Sequence, residues 1–309
     1  MEILLFTGGV YVKIKDILNF LDNQEIEYDF HGNKETEINS FSSLKNYKSG
    51  SFTWLKNESM LSHLSFPLTD ITLVFAQDGI LSDKRAENTL ILKQSKFAFF
   101  STIDHFFGTS KAHNPVGANT YISPDVKIGE NVIIGFNCTI DGDIIIGDNT
   151  IIGNNVVLIN KISIGERCEI QSGCVLGHDG FGWTENDKVK TMLKHYGGIT
   201  IENDVYIGPC TVIDRGMIDD TTIRQGAKID AQCFIAHNVI VGKNVVMIAG
   251  SILYGSSTVG NNGYIASATV RNQCSIGEDS VVGIGAVVTK NVVNGVTVVG
   301  NPAKPLTPK

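Results

Sequence analysis

One histidine, His237, stands inside an aliphatic run, "CFIAHNVIVG" at 233–242. A neutral imidazole takes and returns protons near pH 7, so the residue type is that of a general base. Gly255 lies 18 residues after it and Asp219 lies 18 residues before it. A glycine presents its backbone N–H with no side chain to shield it, which suits an oxyanion formed beside the base. A carboxylate from Asp219, or from Asp230 seven residues before the histidine, would fix the ring tautomer and raise its basicity. One base with one bare donor is an arrangement for acyl transfer. A zinc site would need two or more histidines close together on one element. His237 is alone in the repeat after residue 198, and His178 and His195 fall in a loop with no fixed spacing.

A separation of 18 residues matters only if the chain returns to the same place every 18. From Val116 the chain counts in sixes: Ile122, Ile128, Ile134, Ile140, Ile146, Ile152, Leu158, Ile164, Ile170 and Leu176 follow at that stride. The beat returns at Ile201, Ile207 and Ile213, slips by two, and continues from Ile223 through Ile229, Ile235, Val241, Met247, Leu253 and Val259 to Ile265. After one more slip it ends on Ile276, Val282 and Val288. An aliphatic knob every six residues, often followed by glycine, predicts a left-handed parallel β-helix in which three hexapeptides close one coil. The glycine fits the tight corner, where a side chain would crowd the turn. Cys138, Cys168, Cys174, Cys233 and Cys274 each precede a knob by two residues, a slot for small inward side chains, so they read as core; Cys210 lies off that slot.

Residues 177–198, "GHDGFGWTENDKVKTMLKHYGG", lose the beat and predict a loop extruded from the β-helix domain at 109–309. Residues 1–108 also lack it. There "VKIKDILNFLDN" predicts an amphipathic helix with Ile14, Ile17, Leu18 and Leu21 on one face, and "ITLVFA" and "TLILKQ" predict strands, which makes a small α/β domain joined through "GTSKAHNP" at 108–115. A formal charge of −7 with 20 lysines and 5 arginines in no cluster argues against nucleic-acid binding. "MEILLFTGGV" is too short and too rich in glycine for a signal core or a membrane span, so the expected location is the cytoplasm with no stable membrane insertion.

"DGFGW" (179–183), "TVIDRG" (211–216) and "IDAQCFIAHNVIVG" (229–242), with the domain before them, resemble the UDP-3-O-acylglucosamine N-acyltransferase family of lipid A biosynthesis, over roughly residues 12–300. The resemblance implies a homotrimer with active sites between neighbouring β-helices, His237 as general base and the Gly255 amide as oxyanion donor. It also implies that the N-terminal domain binds the base of a nucleotide sugar through "SFTWLKNESMLSHL" (51–64), with Trp54 stacking, Asn57 making the polar contact and Met60 standing where the family has a second aromatic. Phe181 and Trp183 in the loop would anchor the sugar.

Three departures shape the functional expectation. The family's second histidine near 272–274 is replaced in "VRNQCSIG" by Gln273, Met60 replaces an aromatic, and "VGNPAKPLTPK" shows no helical tail of the kind that docks an acyl carrier protein. They favour an N-acyltransferase that moves an acyl group from acyl-coenzyme A to a dTDP- or UDP-linked amino sugar, as in the N-acylation of dTDP-4-amino-4,6-dideoxyglucose for anthrose. Coenzyme A would be a co-substrate lying along the C-terminal coils, with Lys290 and Lys304 at its phosphates, and no permanently bound cofactor or metal is expected. The rival readings are the lipid A enzyme itself, with a hydroxyacyl-acyl carrier protein as donor, and a non-catalytic β-helix that only binds a nucleotide sugar.

Overall fold

The computed structural model describes residues 11–81, 86–108 and 115–306. "MEILLFTGGV", most of the joining segment 108–115 and the last three residues lie outside them. The chain divides into two compact units, Met1–Lys111 and Ala112–Lys309.

In the first unit a five-stranded sheet runs in the order Tyr28–His31, Thr89–Leu92, Leu73–Gln77, Ser51–Leu55 and Ser40–Phe41, antiparallel only at its first pair. The helix Ile14–Asn23 buries the predicted stripe of Ile14, Ile17, Leu18 and Leu21, and the helix Ser95–Phe107 adds Phe99 against Phe52 and Phe75. Alternate residues of the strand Ser51–Leu55 face opposite ways, so Phe52 and Trp54 pack with the helices while Leu55 joins a second cluster with Leu44, Ile71 and Val74.

The second unit is a left-handed parallel β-helix built from three stacked sheets of two- to five-residue strands. One sheet of nine strands carries Ile140, Leu158, Leu176, Ile213, Ile235, Leu253, Val270 and Val288 in successive coils. From Ile134 onward the knobs are buried; Val116 and Ile128, in the first coil with nothing of the repeat beneath them, remain exposed. The five slot cysteines are buried among the knobs, and the thiols of Cys138, Cys168, Cys174 and Cys233 donate to backbone carbonyls, as Cys138 does to Gly153 at 3.0 Å. Burial pushes the Cys174 thiol up to about 11, so it stays protonated.

The corners explain the residues that follow each knob. At Gly135 a methyl group would fall 2.6 Å from the backbone of Gly153 in the next coil, so close coil stacking excludes a side chain there. Two positions on, the chain takes positive φ at Asn131, Asn137, Asn149 and Asn155, a left-handed conformation that asparagine tolerates better than most residues. Coil length is 18 residues from Ile235 to Leu253, but 22 from Ile213 to Ile235 and 37 from Leu176 to Ile213. The last of these contains 177–198, where Trp183–Asn186 and Val189–Met192 form an exposed antiparallel hairpin.

Candidate active site

The undisturbed 18-residue coil above His237 puts Gly255 over it: a methyl group at 255 would lie 2.7 Å from Nε2 of the imidazole. The coil below does not place Asp219 beneath it. Four additional residues bring Arg215 to that position instead, and Arg215 turns its Nε to Asp179 Oδ1 at 2.8 Å. Asp219 contributes only its backbone carbonyl, and the Asp230 carboxylate caps the amides of Ala231 and Ala249 at 2.7 and 3.2 Å. Neither expected acid orients the ring.

Asn238 does. It is the corner asparagine after His237, with φ of 58°, and its Oδ1 lies 3.0 Å from Nδ1 of His237. Its amide cannot be turned over, because Oδ1 also accepts the Met217 N–H at 3.0 Å while Nδ2 donates to the Asp219 carbonyl at 2.9 Å. An acceptor opposite Nδ1 requires a proton there, which leaves the lone pair on Nε2, the atom nearest Gly255. The residue that the corner needs for its backbone thus sets the tautomer that a base needs.

At some corners the second N–H after the knob is capped by a side-chain oxygen from the next coil: Glu130 by Asp148 at 2.8 Å, Phe136 by Asn154 at 2.8 Å, Lys243 by Asn261 at 2.9 Å. At others, such as Asp148, Ser172 and Asn261, it meets no acceptor among the described residues. The Gly255 N–H is of this second kind. It borders a groove of about 750 Å³ whose lining includes His237, Asp214, Phe181, Tyr254, Arg271, Gln273 and Thr289.

Two further residues join the site without having been singled out. Asp214 is 7% exposed, and desolvation raises its carboxyl to about 6, with nearby Asp179 adding to the rise and His237 opposing it. His195 is fully buried at the end of the loop, its ring edge-on to that of His237 with centroids 5.1 Å apart. Nδ1 of His195 lies 3.0 Å from the Gly180 amide and 3.3 Å from the Arg215 carbonyl, and its Nε2 has no partner among the described residues. Asp214 stands in the quoted "TVIDRG", but Asp141, Glu202 and Asp230 follow other knobs in the same way, so its position alone did not mark it; nothing in the spacing of His195 pointed to it either.

The remaining expected residues are dispersed. Phe181 reaches the groove, whereas Trp183 sits on the hairpin with the Lys190 ammonium 5.0 Å from its ring. Lys290 and Lys304 line a different groove, of about 410 Å³, at the C-terminal coils. In the first unit, Trp54 is half-buried, its ring near-parallel to that of Phe99 and its Nε1 donating to Ser95 Oγ at 2.9 Å. Asn57 Oδ1 caps a short 3₁₀ helix by accepting the Met60 N–H at 3.3 Å, and Met60 packs into the second cluster. Among the described residues no cluster of three His, Cys, Asp or Glu could hold a metal ion, and no helix is long and apolar enough to cross a membrane.

The coil that sets an imidazole beneath a glycine amide is of the hexapeptide transferase class: residues 116–142 and 143–178 match the bacterial transferase hexapeptide (six repeats) family. The chain is 38% identical over 251 residues to the UDP-3-O-acylglucosamine N-acyltransferase of Fusobacterium nucleatum, covering 77% of this chain and 74% of that protein. It belongs to the UDP-3-O-acylglucosamine N-acyltransferase family. A namesake from Ectopseudomonas mendocina is 49% identical over 81 residues, which is 26% of this chain and 23% of the relative. Among solved structures, the UDP-N-acetylglucosamine acyltransferases of Francisella novicida (TM-score 0.55, 20% identity, 60% of this chain and 68% of that one) and Campylobacter jejuni (TM-score 0.54, 18% identity, 61% and 73%) share the fold.

These relatives correct the functional expectation. They carry the name of the lipid A enzyme, which the sequence reading held as a rival, and so the preferred transfer from acyl-coenzyme A to another nucleotide-linked amino sugar is not supported. Local changes at Met60 and Gln273 weigh less than identity sustained over 251 residues. With that correction Lys290 and Lys304 lose their assigned ligand.

Proposed function

We propose that this chain acylates the amine of UDP-3-O-acylglucosamine, drawing the acyl group from a thioester. The observation that carries the reading is the unprotonated Nε2 of His237 beside the uncapped Gly255 N–H in one groove. The amine attacks the thioester carbonyl, and the nitrogen gives its proton to Nε2 as the C–N bond forms. The Gly255 N–H holds the tetrahedral oxyanion. The C–S bond then breaks, and the leaving thiolate takes the proton back from His237. Neither a covalent acyl-enzyme nor a resident metal enters this scheme. Phe181, at the mouth of the groove, packs on the sugar, and by the family resemblance Trp54 and Asn57 hold the uracil and an acyl carrier protein delivers the thioester.

The working form in this proposal is a trimer. Its support is an outward row on the nine-stranded sheet, Val157, Val175, Val212, Phe234 and Ile252, each half-buried and apolar. The corresponding row of the eight-stranded sheet is mostly polar, with Ser163, Thr200, Thr222 and Thr258.

The test is turnover of UDP-3-O-acylglucosamine with an acyl-carrier-protein thioester. His237→Ala is expected to lower kcat by at least about 100-fold, the usual scale for losing a general base, with melting unchanged. Wild-type protein that forms no amide from this pair would refute the assignment, and near-normal turnover by the variant would remove His237 from the chemistry.

A further inference from the structure

The nucleophile is an amine, and primary amines of this kind are substantially protonated near neutral pH, with pKa values of about 8. An acceptor in that state brings a positive charge into the groove. Asp214 is the one carboxylate among the groove-lining residues, and it occupies the position directly after a knob, paired across a bulge with His178 in the coil below and followed in its file by Ala236 above. His178 is exposed and gives Asp214 no hydrogen bond, and Ala236 has no side chain that could. Its own sequence neighbour, the obvious cation, is committed elsewhere: Arg215 pairs with Asp179. Among the described residues nothing donates a hydrogen bond to the Asp214 carboxylate, although the residue is 93% buried by its exposure of 7%. A desolvated acid without a partner, facing an open groove one coil below the base, is an unfilled half of an ion pair.

We infer that Asp214 is the acceptor-binding carboxylate, holding the substrate ammonium beside Nε2 of His237 and selecting an amine over a hydroxyl. This deepens the proposed function and rests on it. The residue has no bond-making role: it takes a charge-assisted hydrogen bond from the ammonium and keeps the nitrogen in place while its first proton passes to solvent, so that the free amine attacks and gives its second proton to Nε2 of His237. His178, His237, Asp179 and Arg215 are the other titratable or charged groups around it, and the Asp179–Arg215 pair is closed on itself.

The experiment measures calorimetric binding of two acceptors, UDP-3-O-acylglucosamine and the matching 3-O-acylglucose compound with a hydroxyl in place of the amine, to wild-type protein and to Asp214→Asn. Wild-type protein is expected to prefer the amine by about 10- to 100-fold, the span of one charge-assisted hydrogen bond. Asp214→Asn should erase that preference while leaving the affinity for the hydroxyl compound unchanged. Equal losses for both acceptors would mean that Asp214 only shapes the groove, and unchanged binding of both would remove it from recognition; either result overturns the inference while the acyltransferase reading stands. A wild-type preference of zero overturns it without any variant. If the wild-type protein binds neither acceptor, the reading of the whole site falls and the inference falls with it.

Discussion

Asp214 destabilises the fold that holds it. Burial lifts its carboxyl from 3.8 to about 6, so between those pH values the native chain keeps a proton that the unfolded chain has already released. Its unfavourable contribution therefore grows as pH rises through that window and is complete above about 6. Asp214→Asn is expected to raise Tm at pH 7.5, by a margin equivalent to on the order of 1–3 kcal/mol, and the margin should shrink toward zero near pH 4. Scanning calorimetry at the two pH values checks this, and a variant less stable at pH 7.5 would contradict it. At this scale the sequence disclosed the meeting of His237 and Gly255, because the coil between them has the regular length. It did not disclose what orients the base. A search for a carboxylate at coil spacing leads to Asp219, whereas the contact is made by the adjacent Asn238, whose reach depends on a positive φ that residue counting does not reveal.

Among the elements, the loop 177–198 is the one tied most closely to the chemistry. Its Gly180 lies where a methyl group would fall 2.7 Å from Cε1 of His195 and 2.7 Å from Cδ2 of His237. Gly180→Ala is thus expected to push the loop or the base out of place, lowering turnover by at least about 10-fold and stability by about 1–3 kcal/mol, the usual range for overpacking. Steady-state assay with thermal melting checks both, and a variant with normal turnover would show that the loop and His237 are mechanically independent. The loop was evident from the lapse of the six-residue beat. The buried histidine at its end was not, since a loop with no period offers no rule for which residue turns inward. The slip near residue 219 was likewise visible, but only the pairing of Ile213 with Ile235 shows that it adds four residues to that coil and so replaces Asp219 by Arg215 under the base.

For the whole molecule, the β-helix was legible because one aliphatic residue in six must fill the same interior column, and that demand is repeated through the length of the domain. The proposed trimer has a fainter signal, a file of half-buried valine, isoleucine and phenylalanine on one sheet. Val157→Glu, in that file but away from the groove, is expected to yield monomers by light scattering and to abolish turnover along with the trimer; an active monomer would place the complete site within one chain. Each coil contacts only the coils next to it, so a loop of any length can leave one corner without disturbing the columns above or below. Along the wall of the groove Tyr254, Arg271 and Thr289 accordingly stand on successive rungs about 4.8 Å apart. Exchanging a large residue for a small one on a single rung would alter the groove's depth at that level alone, with the rest of the scaffold unchanged.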